Sequence, residues 1–268
     1  MKKIALIGIP IETIVIKDTL GCFESYLPSI TNETRNKIIK KLDSYNILID
    51  DLGEINLGES YDYGNVTNIR SEGIPLLLED KYKEVNLDTL LEQRKSTLKK
   101  VENYDLFFAI GPSHLGALTL YENEEVVLRC DYHSDFDYDN ADSYICYASY
   151  MDWVQQKLKN VNVDNYFVKY KPFGKCFGKN IKKVKLNNPE ANHCDIDMDC
   201  FNETFQIHNT SVYPHRWGKS EATPELVKKM IMKANPKKVG FWEYRRSWDY
   251  QNNGFNFIVD VITELANK

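Results

Sequence analysis

Four short apolar runs in this chain each lead into side chains that can hold a metal ion, and that coincidence limits the folds open to it. Leu106–Ile110 (L-F-F-A-I) runs into Gly111-Pro112-Ser113-His114, and Glu125–Arg129 runs into Asp131-Tyr132-His133-Ser134-Asp135. Asn192–Ile196 carries Asp195-Ile196-Asp197, and Lys238–Glu243 ends on Glu243. Short apolar runs alternating with helical patterns predict a mostly parallel sheet covered by helices on both faces. Ligands of such sheets bind at the carboxyl ends of the strands. Unrelated surface polar residues would have no reason to collect at that one edge.

The remaining chain fits the same alternation. Ile4–Ile9 and Asn46–Asp50 read as strands flanking a helix over Asn32–Tyr45, with a turn at Asp51-Leu52-Gly53-Glu54-Ile55. Further helices are predicted over Leu87–Asn103, Leu115–Tyr121, Ala148–Lys159, Pro224–Ala234 and Phe255–Ala266, and a further strand over Tyr166–Tyr170. Residues 56–79 and 202–223 read as long connections, the sort of loop that shapes a pocket at a sheet edge. Lys175–Lys185 reads as a solvated loop or edge. With 268 residues and no low-complexity linker, the expectation is one domain spanning 1–268.

Charge and composition remove several function classes. A net charge of −5 argues against a nucleic-acid surface, and no apolar run approaches the ~20 residues of a membrane span. The start M-K-K-I-A-L-I-G-I-P-I-E meets Gly8, Pro10 and Glu12 at once and lacks a cleavage site, so it reads as a buried strand and the chain as cytoplasmic. Six scattered cysteines without a CxxC pair read as reduced thiols.

Asp131, His133 and Asp135 are spaced by two, which in an extended segment turns them to one side, and Asp195 and Asp197 repeat the spacing. Carboxylates with a minority of imidazoles suit a hard or borderline divalent ion such as Mn²⁺ better than a structural zinc. Four Asp and two His exceed the needs of one catalytic ion, so two ions ~3.5–4 Å apart are expected, holding a water of lowered pKa between them. Alternation turns Cys130 and Cys194 away from the carboxylates.

Blander roles compete. An isolated Asp-x-His-x-Asp is usually a polar loop, His114 can cap the helix after it, and Glu243 can pair with Arg245 or Arg246. His193 reads as structural, and His208 and His215 as exposed loop residues. Asp137, Asp139 and Asp199 read as solvated or as groups that orient the ligands.

Taken in order, these segments resemble the ureohydrolases, the arginase, agmatinase and formiminoglutamase family of binuclear manganese enzymes. Gly111-Pro112-Ser113-His114 is similar to that family's G-G-D-H, Asp131–Asp135 to D-A-H-x-D, and Asp195–Asp197 to its D-x-D. The resemblance implies an arginase-like three-layer α/β/α sandwich. It implies His114, Asp131, Asp135 and Asp195 on one manganese and His133, Asp131, Asp195 and Asp197 on the other. A bridging hydroxide would attack a guanidinium carbon, an Asp such as Asp135 would pass a proton to the leaving amine, and Glu243 would grip the cationic group. Pro112 and Ser113 replace the second Gly and the Asp of G-G-D-H, and D-I-D-M-D-C-F replaces D-x-D-x-x-D-P. That ending is similar to a branch containing peptide arginases. The implied partner is a small cationic guanidino compound or an arginyl peptide, with no nucleic acid, no membrane, and a homo-oligomer in keeping with the family. Two other readings stand beside this one: a mononuclear zinc deacetylase-like hydrolase, and a metal-binding protein without catalysis.

Overall fold

A computed structural model describes residues 2–11, 14–15, 28–56, 61–62, 81–82, 84–85, 87–133, 135, 150–168, 191–202, 205, 220–244, 249 and 251–268. The strands are β1 (Ile4–Gly8), β2 (Ile14–Val15), β3 (Asp50–Glu54), β4 (Tyr61–Asp62), β5 (Lys81–Tyr82), β6 (Glu84–Val85), β7 (Leu106–Ile110), β8 (Val126–Cys130), β9 (Asn162–Tyr166), β10 (His193–Asp197) and β11 (Lys238–Trp242). The helices are α1 (Pro28–Asp43), α2 (Leu87–Val101), α3 (Tyr150–Lys157), α4 (Pro224–Ala234) and α5 (Asn253–Asn267). Seven strands form one sheet in the order β3-β1-β7-β11-β10-β8-β9, and every pairing in it is parallel. Two antiparallel ladders, β2 with β5 and β4 with β6, lie outside it.

Alternation along the strands divides the core in two. Leu6, Phe108, Leu128, Ile196 and Phe241 pack on one face with residues of α1, α4 and α5, such as Leu42, Ile231 and Ile258. Ala5, Ile7, Phe107, Ala109 and Val127 pack on the other face with Leu90 and Val101 of α2 and with Met151 and Val154 of α3. This is the expected three-layer α/β/α sandwich. Each fully buried aliphatic or Phe side chain contributes roughly 1.5–3 kcal/mol, so both layers are needed to hold the sheet.

Helix boundaries follow local signals. Thr223 accepts a hydrogen bond from Leu226 N at 3.1 Å, Pro224 opens α4, and Asn235 closes it in the left-handed region at φ 52°. Between those caps Val227, Met230, Ile231 and Ala234 are buried at the 3.6-residue period. The same spacing buries Thr31, Thr34, Arg35, Ile38 and Leu42 on α1. Arg35 then reaches Asp51 Oδ1 at 2.6 Å, tying α1 to the edge strand β3.

Two strands differ from expectation. The strand expected over Asn46–Asp50 is instead Asp50–Glu54, where a turn was expected. D-D-L-G-E has poor strand propensity, but it borders only β1, and edge pairing with half-exposed side chains overrides propensity. The strand expected over Tyr166–Tyr170 is Asn162–Tyr166, another edge. The helix expected over Leu115–Tyr121 is a 3₁₀ segment over His114–Thr119. Lys175–Lys185, His208, His215, Asp137, Asp139, Arg245, Arg246 and most of the two long connections lie outside the described residues.

Candidate metal centre

The four central strands β7, β11, β10 and β8 end side by side, and the chain crosses from β7 to β8 over the slot that β10 and β11 later fill. That strand-order break makes the crevice in which α/β sheets bind ligands. His114 follows β7, Asp131 follows β8, Asp197 ends β10 and Glu243 follows β11. Ser113, not His114, caps the 3₁₀ segment, by accepting from Leu115 N, which leaves the imidazole for the crevice.

His114 is buried, and its Nδ1 faces Asp197 Oδ2 at 2.7 Å, Asp135 Oδ2 at 3.0 Å and Asp131 Oδ2 at 3.1 Å. No hydrogen bond is directed at that nitrogen. On the neighbouring side His133 Nδ1 lies 2.7 Å from the buried Asp199 Oδ2. Coordinating atoms fall within 4.8 Å of one another in three groups: His114 with Asp131 and Asp135, Asp131 with His133 and Asp199, and Asp197 with Asp199 and Glu243. Imidazole nitrogens and carboxylate oxygens that converge at 2.7–3.1 Å in a buried crevice are a donor set that fits a shared cation.

Asp195 lies one rung lower, opposite Arg129 in the β8–β10 register. It accepts from Tyr121 Oη at 2.6 Å and Tyr150 Oη at 3.0 Å, and its Oδ1 meets His114 Nε2 at 3.0 Å. It therefore holds the far side of the His114 ring, while Asp197 faces the near side. Asp199, expected only to be solvated or to orient ligands, is 3% exposed and joins two of the three groups. The turn Met198–Cys200 that follows β10, where Asp197 accepts from Asp199 N, brings it there, and strand alternation did not indicate it.

Arg129 is a further participant that the motifs did not indicate. Its guanidinium is fully buried, donates from one nitrogen to both Asp131 Oδ2 and Asp135 Oδ2, and donates from another to Asn165 Oδ1 at 2.9 Å. Its Nε donates to Tyr150 Oη at 3.0 Å. His193 packs edge-on against Tyr121 and lies 3.5 Å from Glu125, deep below the crevice, in keeping with a structural role. Cys130, Cys194 and Cys200 belong to the apolar layer on the opposite face, and burial raises their thiols well above the usual range.

The electrostatics follow from this packing. Burial and the neighbouring Asp199 raise the Asp197 carboxyl to about 7, and burial with Asp197 and Asp199 raises Glu243 well above the carboxylate range. Burial would also raise Asp135, but Arg129 and His114 outweigh it and hold that carboxyl below its ordinary value. Burial would lower His133, yet Asp199 beside it raises the imidazole to about 10. The crevice thus stores protons that an arriving cation would displace. Asp135 and Glu243 both adopt the left-handed backbone region, at φ 54° and 55°. A non-glycine residue there carries strain of order 1–3 kcal/mol, which the surrounding contacts must offset.

No protein-family model matches this chain, and no curated protein matches it. Solved structures do. The arginase of Bacillus subtilis aligns with a TM-score of 0.64 over 100% of this chain and 99% of its own, at 15% identity. The chain has the arginase fold. The agmatine ureohydrolase of Thermoplasma volcanium aligns at 0.65 over 99% of this chain and 89% of its own, with 12% identity. An Entamoeba histolytica arginase solved with L-ornithine aligns at 0.59 over 98% of both chains, with 15% identity. At such identities what is shared is the arginase fold. Among the described residues no helix is long and apolar enough to cross a membrane.

Proposed function

We propose that this chain is a divergent ureohydrolase, a metal-dependent hydrolase that cleaves a C–N bond of a guanidino compound and releases urea or a related product. The observation that carries this reading is the convergence of His114 Nδ1, His133 Nδ1 and the carboxylates of Asp131, Asp135, Asp197 and Asp199 in the crevice of an arginase fold. The donors are oxygen and imidazole with no thiolate, which suits Mn²⁺. In this reading these six residues and Glu243 are the groups available to hold the ion. A divalent ion bound there supplies Lewis acidity and makes water nucleophilic near neutral pH.

The chain's own residues do the rest. The acidic side chains that line the crevice favour a cationic substrate such as a guanidinium over a neutral amide. Asp135, kept ionised by Arg129, takes a proton from water and hands it to the leaving amine. Tyr150 and Asp195 fix the His114 ring from behind, so its Nδ1 keeps its aim.

The test is urea release by Mn-supplemented protein from a panel containing agmatine, arginyl peptides, other guanidino compounds and free arginine. Urea from at least one cationic guanidine, with free arginine not the favoured one, is expected. Less than about one equivalent of bound Mn together with no urea from any compound would overturn the reading.

A further inference from the structure

We propose that Arg129 takes the place of one of the two ions, so that this crevice holds a single divalent cation, on the side of His133, Asp197, Asp199 and Glu243. The inference rests on the metal-hydrolase reading and sharpens it. Arg129 and Asp131 are two residues apart along β8 and its end, so both turn to the same face of the sheet, and the guanidinium rises into the crevice from below.

Which oxygens remain available decides the count. Asp131 Oδ2 and Asp135 Oδ2, the two oxygens beside His114 Nδ1, both accept from one Arg129 nitrogen. Asp195 Oδ2 is taken by Tyr121 and Tyr150, and Arg129 Nε stands 3.8 Å from it. Of the three carboxylate oxygens that face His114 Nδ1, Asp197 Oδ2 is the one with no described bond to Arg129. A divalent ion there would also face a permanently charged guanidinium at contact distance in a dry site.

The other side keeps its donors. Asp197, Asp199 and Glu243 offer atoms within 4.8 Å of one another, and His133 Nδ1 lies 2.7 Å from Asp199 Oδ2. Arg129 Nη1 donates to the backbone oxygen of His133 at 3.3 Å, and none of the described bonds of Arg129 goes to Asp197, Asp199 or Glu243. One imidazole and three carboxylates make a complete site for one ion of the Mn²⁺ class.

Calorimetric titration of metal-free protein with Mn²⁺, read together with the electron paramagnetic resonance spectrum of the loaded protein, tests this without an activity measurement. The wild type should take up one equivalent and give the spectrum of an isolated ion. Arg129→Met, which removes the charge at similar volume, should take up a second equivalent and give an exchange-coupled pair, while Arg129→Lys should stay at one. Two equivalents and a coupled pair in the wild type would overturn the inference and leave the functional reading standing. One equivalent in a folded Arg129→Met would also overturn it. No binding by the wild type would overturn the functional reading itself. The wild-type count decides the matter even where a variant fails to fold.

Discussion

Asp199 Oδ2 lies 2.7 Å from His133 Nδ1, joining the turn after β10 to the segment after β8, and neither element's motif would bind an ion alone. The contact depends on a short chain of supports. Asp199 N donates to Asp197 Oδ1 at 2.9 Å, and Tyr132 N donates to Asp199 Oδ1. Replacing Asp199 by Asn keeps the shape and removes the charge. The expected result is Mn²⁺ affinity weakened by about 10–100-fold, measured by calorimetry, with the folded far-UV spectrum intact. Unchanged affinity would place Asp199 outside the ligand set.

Metal binding should depend on pH in a defined direction. In the ion-free protein Asp197 holds a proton up to about 7, Glu243 also has a raised carboxyl, and His133 stays protonated up to about 10. These protons must leave before the groups can ligate. Mn²⁺ should therefore raise the melting temperature more at pH 8 than at pH 6, and titrations in buffers of different ionisation enthalpy should reveal proton release. Equal stabilisation at both values would contradict the proton store.

For the ion-free protein the sign of the stability effect is opposite to that of an ordinary salt-bridged Asp. The Asp197 carboxyl is raised when folded, so its ionisation costs stability as pH climbs from the unfolded value of 3.8 to about 7. Asp197→Asn should flatten that loss in metal-free denaturant melts. A variant whose stability falls as steeply as the wild type over this range would show that another group is responsible.

Behind the crevice, Tyr150 Oη serves three partners: it reaches His114 Nε2 at 2.8 Å, donates toward Asp195 Oδ2 at 3.0 Å and accepts from Arg129 Nε at 3.0 Å. Tyr150→Phe leaves buried charged groups short of a partner. A loss of about 1–3 kcal/mol is expected in urea melts with an unchanged m-value. A loss within about 0.5 kcal/mol would show that the network repairs itself.

Gly240 sits opposite Asp195 in β11, and a Cβ there would lie 2.3 Å from Trp242 Cζ2 and 2.5 Å from its Nε1. Trp242 is fully buried beneath the crevice and also closes on Gly116. Gly240→Ala should cost about 1–3 kcal/mol by displacing the indole, measured by chemical unfolding.

Much of this fold was legible because local signals agreed with tertiary packing. The α4 boundaries were readable from Thr223 and Pro224 and from four buried apolar residues at helical spacing. The β7 run L-F-F-A-I is apolar throughout because both faces are covered. The two misplaced strands, D-D-L-G-E and N-V-D-N-Y, lie at the two sheet edges, where backbone pairing decides the strand and the side chains carry little signal. At the crevice, strand ends and spacing indicated His114, Asp131, His133, Asp135, Asp197 and Glu243 as neighbours. Arg129 was not indicated, because a cation in a metal motif has no sequence signature, and its bonds to Asp131 and Asp135 are seen only once the segments are folded together.

The most direct test of the account is to locate the metal. Anomalous diffraction from crystals grown with Mn²⁺ should show a peak at the carboxyl ends of β8, β10 and β11, bounded by His133, Asp197, Asp199 and Glu243. A crevice without any such peak at saturating Mn²⁺, with the ions found elsewhere or not at all, would contradict it.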